Sequence, residues 1–454
     1  MKHINTVVAL AWSVVLFIVP LPFLATLVAG LPSLYTNELF GIELGVIAYT
    51  WMLAAVYLAC RPRWVDRTVG LPTMYMIHGV LAILAIIFAF VHQSLLPGAG
   101  ALIGLTGHMG LYLFMGVAVW SMIFMAGWLT ARVHWLAQLK RTLEHVFHHE
   151  MSVWLHRLNL IAIALIVLHV HVIDYIAAIK PFILLFDTAT IIVLAYYVWS
   201  MINRHAYALR GRIASVQPIA DRVSELQITL DKRSANEAHW NPGDFAFIAF
   251  PGERGMHEYH PFSLTNAHPV QSQPKAGNVP TMNFAIRADG DFTNRIATLE
   301  PGTEVRVIPP YGRYAEFIAE HDHQSKRNDN TGHSSSPQTA PTLVLIGGGI
   351  GITPLIGILK AYAGTGRIVD FLYTTRKDSD IIYHNELEQI GANNTNTRVR
   401  IQTQRPNEQT ITSMIHPGAI YLIAGPHGML VTVRKILLAH GVTANDIYYE
   451  PFAM

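Results

Sequence analysis

The sequence predicts a membrane all-α six-helix bundle followed by an antiparallel β-barrel and a doubly wound α/β domain. Three observations carry that reading. Residues 1–205 are dominated by long apolar runs, in a chain that is 52% hydrophobic and only 14% charged. Short alternating segments follow, to about residue 318. After residue 341, strands alternate with helices around a glycine-rich turn, which argues for a parallel sheet covered on both faces. At 454 residues the chain has room for two or three domains.

Composition excludes some functions. A net charge of +2 makes no case for nucleic acid. The single cysteine, Cys60, rules out a disulfide within the chain and any cysteine-ligated cluster.

Six stretches are long enough to span a bilayer: about 5–30, 39–60, 74–96, 106–130, 153–176 and 182–203. The first is too long for a signal peptide and lacks a small-residue cleavage site before a soluble domain, so it reads as a retained helix. Arg61, Arg63 and Arg67 lie between the second and third stretches, and Arg132, Lys140 and Arg141 between the fourth and fifth. Arg204, Arg210 and Arg212 follow the sixth, whereas the loop at 94–105 carries almost no positive charge. Positive-inside counting puts both termini in the cytoplasm, and the expected location is a bacterial inner membrane.

Four histidines stand inside these apolar runs. His78 and His92 are fourteen apart in the third stretch; His156 and His169 are thirteen apart in the fifth. At about 1.5 Å per residue either spacing covers roughly 20 Å, most of the ~30 Å hydrocarbon thickness. Ionisable groups at that depth are rare and usually functional. Two such helices would hold two haems stacked across the membrane, each iron taking one neutral imidazole from each helix. Positive-inside counting places His78 and His156 near the cytoplasmic face, His92 and His169 near the outer one. Helix phase favours the first pair: at 100° per residue, fourteen residues return to within ~40° of the starting face, while thirteen miss by ~140°. On ideal geometry His171 fits better than His169, unless the fifth helix is bent or locally rewound.

The soluble part starts near Gly211. RIASVQPIA, RVSELQITL and DFAFIAF read as strands, with NPGDF (Asn241 to Phe245) a turn into one of them. Residues 319–341, largely EHDHQSKRNDNTGHSSSPQTAP, read as a flexible linker. TLVLIGGGIGITPLIGILKAYA is then a strand, a glycine turn and a helix. Gly347, Gly348, Gly349 and Gly351 allow backbone to approach a pyrophosphate at a helix N-terminus. IVDFLYTTRK is a second strand that puts Arg376 where a nucleotide ribose lies, so a 2′-phosphate and NADPH are favoured. AIYLIAGP is a later strand ending at Gly425 and Pro426. The expected domains are 1–205, 211–318, the linker 319–341, and 342–454.

HPFSLTNA (His260 to Ala267), IRADGDFT (Ile286 to Thr293), GGGIGITP (Gly347 to Pro354), AGP (Ala424 to Pro426) and EPF (Glu450 to Phe452) occur in one order along the chain. That ordered set resembles ferredoxin-NADP reductase-like flavoproteins, and its first two motifs resemble NADPH oxidases and ferric reductases. LHRL before the fifth stretch, with a histidine thirteen after His156, resembles the ferric reductase-like transmembrane domain. This likeness selects His169 over His171.

The resemblance implies FAD, two b haems and NAD(P)H, with His78, His92, His156 and His169 as iron ligands. It places Phe262 along the flavin ring and Ser263 beside the nitrogen that accepts hydride. Around them, His260, Pro261, Leu264, Thr265, Ile286, Arg287, Gly290 and Thr293 would hold FAD. Thr353 and Pro354 would lie near the nicotinamide, and Glu450 and Phe452 would close the flavin site. Two departures stand out. Ala424 replaces a usual cysteine, and Leu96 stands where NADPH oxidases carry a further histidine. The implied activity is an NAD(P)H oxidase or ferric reductase type of enzyme. Its partners would be membrane lipid and a small-molecule acceptor on the outer side, oxygen or a ferric chelate. The alternative is an electron-transfer module serving a partner protein or a quinone.

Overall fold

The computed structural model describes residues 6–96, 100–124, 138, 154–206, 208–267, 281–330 and 340–450. The chain divides into two compact units. One comprises Thr6–Pro62 and Pro72–Ile202; the other comprises Arg63–Leu71 and Asn203–Phe452.

Among the described residues of the first unit, six helices are long and apolar enough to cross a membrane. They are Val7–Gly30, Ser33–Ala59, Leu71–Leu95, Ala101–Phe124, Trp154–His171 and Lys180–Asn203. The second is 56% buried and the others 11–28%, so the second span is the centre of the bundle and the rest present apolar surface outward. Trp51 against Phe88 and Tyr49 against Phe186 pack that centre, and the Tyr49 hydroxyl meets Thr190 Oγ1 at 2.7 Å. The fourth span starts at Ala101, earlier than the expected 106, because Gly100 turns the chain at φ +81°. Arg132, Lys140 and Arg141, used to orient the bundle, lie outside the described residues.

In the second unit, β1 (Leu209–Ala220), β2 (Val223–Leu230), β3 (Phe245–Ala249), β4 (His260–Ser263), β5 (Thr281–Arg287) and β6 (Glu304–Tyr311) form an antiparallel sheet. Its order is β4-β3-β6-β1-β2-β5. The expected barrel is not closed: between the edge strands β4 and β5 only an isolated bridge, Leu264 to Phe284, is made. The physical reason is length. β4 is only four residues long, so the edge it leaves free offers β5 little to pair with. The expected linker is also corrected in part, since Tyr314–Asn330 is an α-helix. Tyr314, Phe317 and Ile318 bury its first turns, and Asp322 pairs with the buried Arg367 at 3.0 Å. Polar composition concealed a helix with one apolar side. Residues 331–339 lie outside the described set.

The last layer is a parallel sheet of β7 (Leu343–Gly348), β8 (Val369–Thr374), β9 (Thr397–Gln402), β10 (Ile420–Ala424) and β11 (Ile447–Tyr449), ordered β11-β10-β7-β8-β9. β7, β8 and β10 are buried throughout, as strands covered on both faces must be. The order reverses between β7 and β10, so the crevice at their C-terminal ends is where such a sheet takes its ligand.

Candidate functional site

In the membrane unit, His78 faces His156 with ring centres 6.0 Å apart, and His92 faces His169 at 6.3 Å. Two imidazoles gripping one iron from opposite sides, each nitrogen about 2 Å from the metal, place their ring centres about 6 Å apart. Both pairs meet that spacing. Among the described residues no group of three or more His, Cys, Asp or Glu could hold a bare metal ion. A pair of trans imidazoles instead suits an iron whose other four ligands come from a macrocycle.

The rings are held from behind. His78 Nδ1 donates to Ala55 O and His92 Nδ1 to Gly41 O, each at 2.8 Å, and both acceptors belong to the second span. On the other side the fourth span does the holding: Ser121 Oγ meets His156 Nδ1 at 2.9 Å, and His169 Nδ1 donates to Ile103 O at 3.0 Å. A carbonyl only accepts, so three of the four must carry their proton on Nδ1, which leaves the lone pair on Nε2. Small residues make room. A Cβ on Gly45 would stand 2.7 Å from the His92 ring, and one on Gly107 3.0 Å from that of His169.

His171 is placed differently. Its Nδ1 bonds to Val167 O in its own helix and its Nε2 approaches Asp187 at 3.3 Å. The phase mismatch in the fifth span is absorbed at Arg157–Leu158, a turn between the Trp154–His156 segment and the helix Asn159–His171. There Arg157, Leu158, Leu160 and Ile161 bond to the carbonyl three residues back. Such winding advances about 120° per residue rather than 100°, the direction needed to bring His169 round. Leu96 packs against Gly41, where a Cβ would be 2.9 Å away.

In the second unit, β4 carries His260, Pro261, Phe262 and Ser263 along the sheet edge. Phe262 is half-buried and Ser263 nearly buried. The His260 ring lies 4.0 Å from Phe292, which also stacks near Phe262 at 6.1 Å. Leu264 and Thr265 are buried, and Thr265 Oγ1 donates to Asn283 O. Ile286 is buried near the end of β5, while Arg287 is exposed. Thr293 Oγ1 accepts from the amides of Asp289 and Gly290, each at 2.9 Å, and so shapes the turn. A Cβ on Gly290 would meet nothing within 4 Å, which leaves open space beside that turn.

At the switch point, Gly347 pairs with Ala424 across β7 and β10. Gly349 has φ +55°, and Gly425 has φ +155°. A Cβ on Gly351 would be 2.6 Å from Gly425 Cα, so backbone packs directly on backbone there. A Cβ on Gly348 would run into the Met429 side chain. Pro426 stands at the start of the helix His427–Ala439. Thr353 and Pro354 open the helix Thr353–Tyr362, with Thr353 Oγ1 donating to Ile350 O at 3.1 Å. Arg376 is exposed just past β8. Glu450 is 1% exposed; its Oε1 accepts from Arg313 N at 2.9 Å and from the Tyr448 hydroxyl at 2.8 Å. Burial pushes it up to about 8. Phe452 lies outside the described residues.

Sequence reasoning did not find the anchoring carbonyls of Ala55, Gly41 and Ile103, because a backbone acceptor has no residue signature. Ser121, a hydroxyl in an apolar span, was a signal available for the taking. Asp66 and Asp244 were also missed. Asp66 is a single acid in a short helix and Asp244 one in a turn, and their burial depends on the fold.

Residues 345–435 match the oxidoreductase NAD-binding domain. The reductase component of propane 2-monooxygenase from Rhodococcus jostii is 24% identical over 54% of this chain and 63% of its own length. Ferredoxin–NADP reductase B of Sorangium cellulosum is 25% identical, over 44% of this chain and 71% of that protein. Ferric reduction oxidase 5 of Arabidopsis thaliana is 24% identical over 33% of this chain and 18% of its own length. The chain thus spans less than two thirds of the first and about a fifth of the last. Residues 345–435 are an NAD-binding oxidoreductase domain by that match, and the part of the chain around them is similar to ferredoxin-reductase-type proteins. It is preceded in the same chain by six apolar helices that fit a membrane domain.

Proposed function

We propose that the chain is a transmembrane oxidoreductase that passes electrons from NAD(P)H through FAD and two bis-histidine b haems to an acceptor on the opposite side, oxygen or a ferric chelate. The observation that carries this is the pair of facing imidazole sets, each backed by a neighbouring span, in a chain whose residues 345–435 match an NAD-binding oxidoreductase domain.

His78 and His156 would hold one haem, His92 and His169 the other. When bound, FAD converts the two-electron chemistry of a nicotinamide into the single electrons that b haems carry. The chain's own groups do the rest. The half-buried Phe262 would offer a flat face to the isoalloxazine ring, and Ser263 would be the hydroxyl beside its hydride-accepting nitrogen. His260, Arg287 and the open turn at Gly290 and Thr293 would receive the pyrophosphate of FAD, with Pro261, Leu264, Thr265 and Ile286 shaping the floor. Backbone at Gly347, Gly348, Gly349 and Gly351, with Gly425 and Pro426 alongside, would admit the nicotinamide nucleotide. Thr353 and Pro354 would flank its ring, and Arg376 would receive a 2′-phosphate. Glu450, whose carboxyl burial pushes up to about 8, would close the C-terminal side. With His78 and His156, or His92 and His169, both holding the iron, the acceptor would be reduced without binding to the metal. The bacterial inner membrane, with both termini in the cytoplasm, is the location that fits outward export.

The test uses purified full-length protein in detergent. NADPH consumption is measured with oxygen, ferric citrate or a soluble quinone supplied separately. Turnover with oxygen or ferric citrate, with the haems reduced at steady state, is expected. Turnover only with the quinone or an added protein would move the reading to an electron-transfer module.

A further inference from the structure

The short helix Arg63–Val69, which joins the second span to the third, is built into the nucleotide-binding unit. It leads directly into the span Leu71–Leu95, which carries His78 and His92. Its Arg67 guanidinium forks onto Asp244, Nη1 to Oδ1 at 3.0 Å and Nη2 to Oδ2 at 3.1 Å. Nη1 also donates to Gly312 O at 2.8 Å and lies 3.0 Å from Glu316 Oε1. Asp244 is fully buried and its backbone carbonyl accepts from Leu264 N at 2.9 Å. The grip therefore falls on the turn that supports the Phe262–Leu264 segment.

Asp66 is the neighbouring residue, 1% exposed. Its Oδ2 accepts from Gly312 N at 3.2 Å, while its Oδ1 is buried without a hydrogen-bond partner among the described residues. The groups around it come from every element packed there. Arg67 is on its own helix, Asp244 precedes β3, and Arg313 follows β6. Glu316 and Glu320 belong to the next helix; Tyr448 and Glu450 come from the end of the chain. Five carboxyls thus surround two guanidiniums. Both guanidiniums are engaged, Arg67 by Asp244 and Arg313 by both oxygens of Glu320 at 2.8 Å. An ionised Asp66 would leave a weakly satisfied buried carboxylate oxygen, which costs more than a neutral carboxyl in the same place.

We propose that the Arg63–Val69 helix is a proton-held clasp: Arg67 fastens it beneath the flavin-binding segment, and Asp66 favours the fastened state only as a neutral carboxyl. Electron passage from the nucleotide unit into the spans then weakens as pH rises. The inference rests on the functional reading above. Burial, opposed by the Gly312 and Leu71 amides and by Arg67 and aided by Asp244, pushes Asp66 up to about 7. The closed clasp therefore holds a proton that the open one releases. Closure is at full strength below the ordinary carboxyl range, declines as pH rises towards 7, and loses nothing more above it. Burial pushes Asp244 up to about 6 in the same sense and Glu450 up to about 8, so Asp66 is the group whose own change falls between 6 and 7.

The experiment is hydrogen exchange of residues 63–71 in full-length protein in detergent, corrected for intrinsic rates, from pH 6 to 8. The wild type should open up to about tenfold more readily at pH 7 than at pH 6 and level off beyond. Asp66→Asn should be flat across that range. Arg67→Ala should lose protection at every pH, with Arg67→Lys intermediate. In stopped flow, NADPH should reduce flavin equally fast in wild type and Asp66→Asn, while only the wild type shows slower haem reduction at the higher pH. A flat wild-type exchange profile, or an Asp66→Asn protein that keeps the step, overturns the proposal. If Arg67→Ala loses its flavin and unfolds, Asp66→Asn decides. Wild-type protein devoid of haem would instead defeat the functional reading, and the exchange arm would still judge the clasp.

Discussion

In the membrane unit the groups that matter are four side chains, and their directions are fixed by partners 23 to 66 residues away in sequence. In the nucleotide unit the site at the switch point is backbone, with Gly351 lying on Gly425 and no side chain between them. Each arrangement fails in its own way. Removing one imidazole should delete a whole ligand set, whereas trimming its hydrogen-bond partner should only loosen it. At the glycine turns the reverse holds, and adding one methyl group should be the damaging change.

The largest expected effect is all-or-none. His92→Leu and His169→Leu should each lose one haem of two and leave flavin reduction intact, while His171→Leu keeps both. A haemochrome assay per chain reads this directly. If His171→Leu loses the haem and His169→Leu does not, the pairing of rings is wrong.

Next comes Arg376→Ala. A guanidinium on a 2′-phosphate contributes roughly 1.5–3 kcal/mol, so about ten- to a hundredfold weaker use of NADPH is expected with NADH barely changed. Equal use of both nucleotides by the wild type, unaltered by the substitution, would leave Arg376 idle. Gly351→Ala sharpens the backbone side of the comparison. Overpacking of about 1–3 kcal/mol should raise the KM for either nucleotide while both haems remain. An unchanged KM would mean the turn yields easily. The smallest effect belongs to Ser121→Ala, which removes only the partner of His156 Nδ1. A loss of about 1 kcal/mol, seen as roughly fivefold easier haem extraction from the inner pair, is expected. Complete haem loss would show that the hydroxyl is more than an orienting partner.

This contrast also explains what could be read in advance. Glycine turns, apolar spans and histidines at depth leave residue signatures, so the parallel sheet, the six helices and the four rings were legible. Which of His169 and His171 faces His92 was not settled by helical phase, because phase assumes uniform winding and the turn at Arg157–Leu158 breaks it. The open edge between β4 and β5 was hidden because pairing partners are a tertiary matter. The helix Tyr314–Asn330 was hidden because three buried residues near its start outweigh a polar remainder. The clasp at Asp66 and Arg67 was invisible for a related reason. In sequence they are two charges in a loop, and only the fold buries Asp66 and sets Arg67 against Asp244.

The central claim is that two facing imidazole pairs each hold a haem fed from the nucleotide unit. The most direct measurement is anaerobic: full-length protein is given excess NADPH, and haem per chain and the fraction reduced are read from one absorption spectrum. Two low-spin b haems per chain, both reduced by NADPH to the extent dithionite achieves, is the expected result. A chain with bound flavin and no haem, or haems that only dithionite reduces, would contradict it.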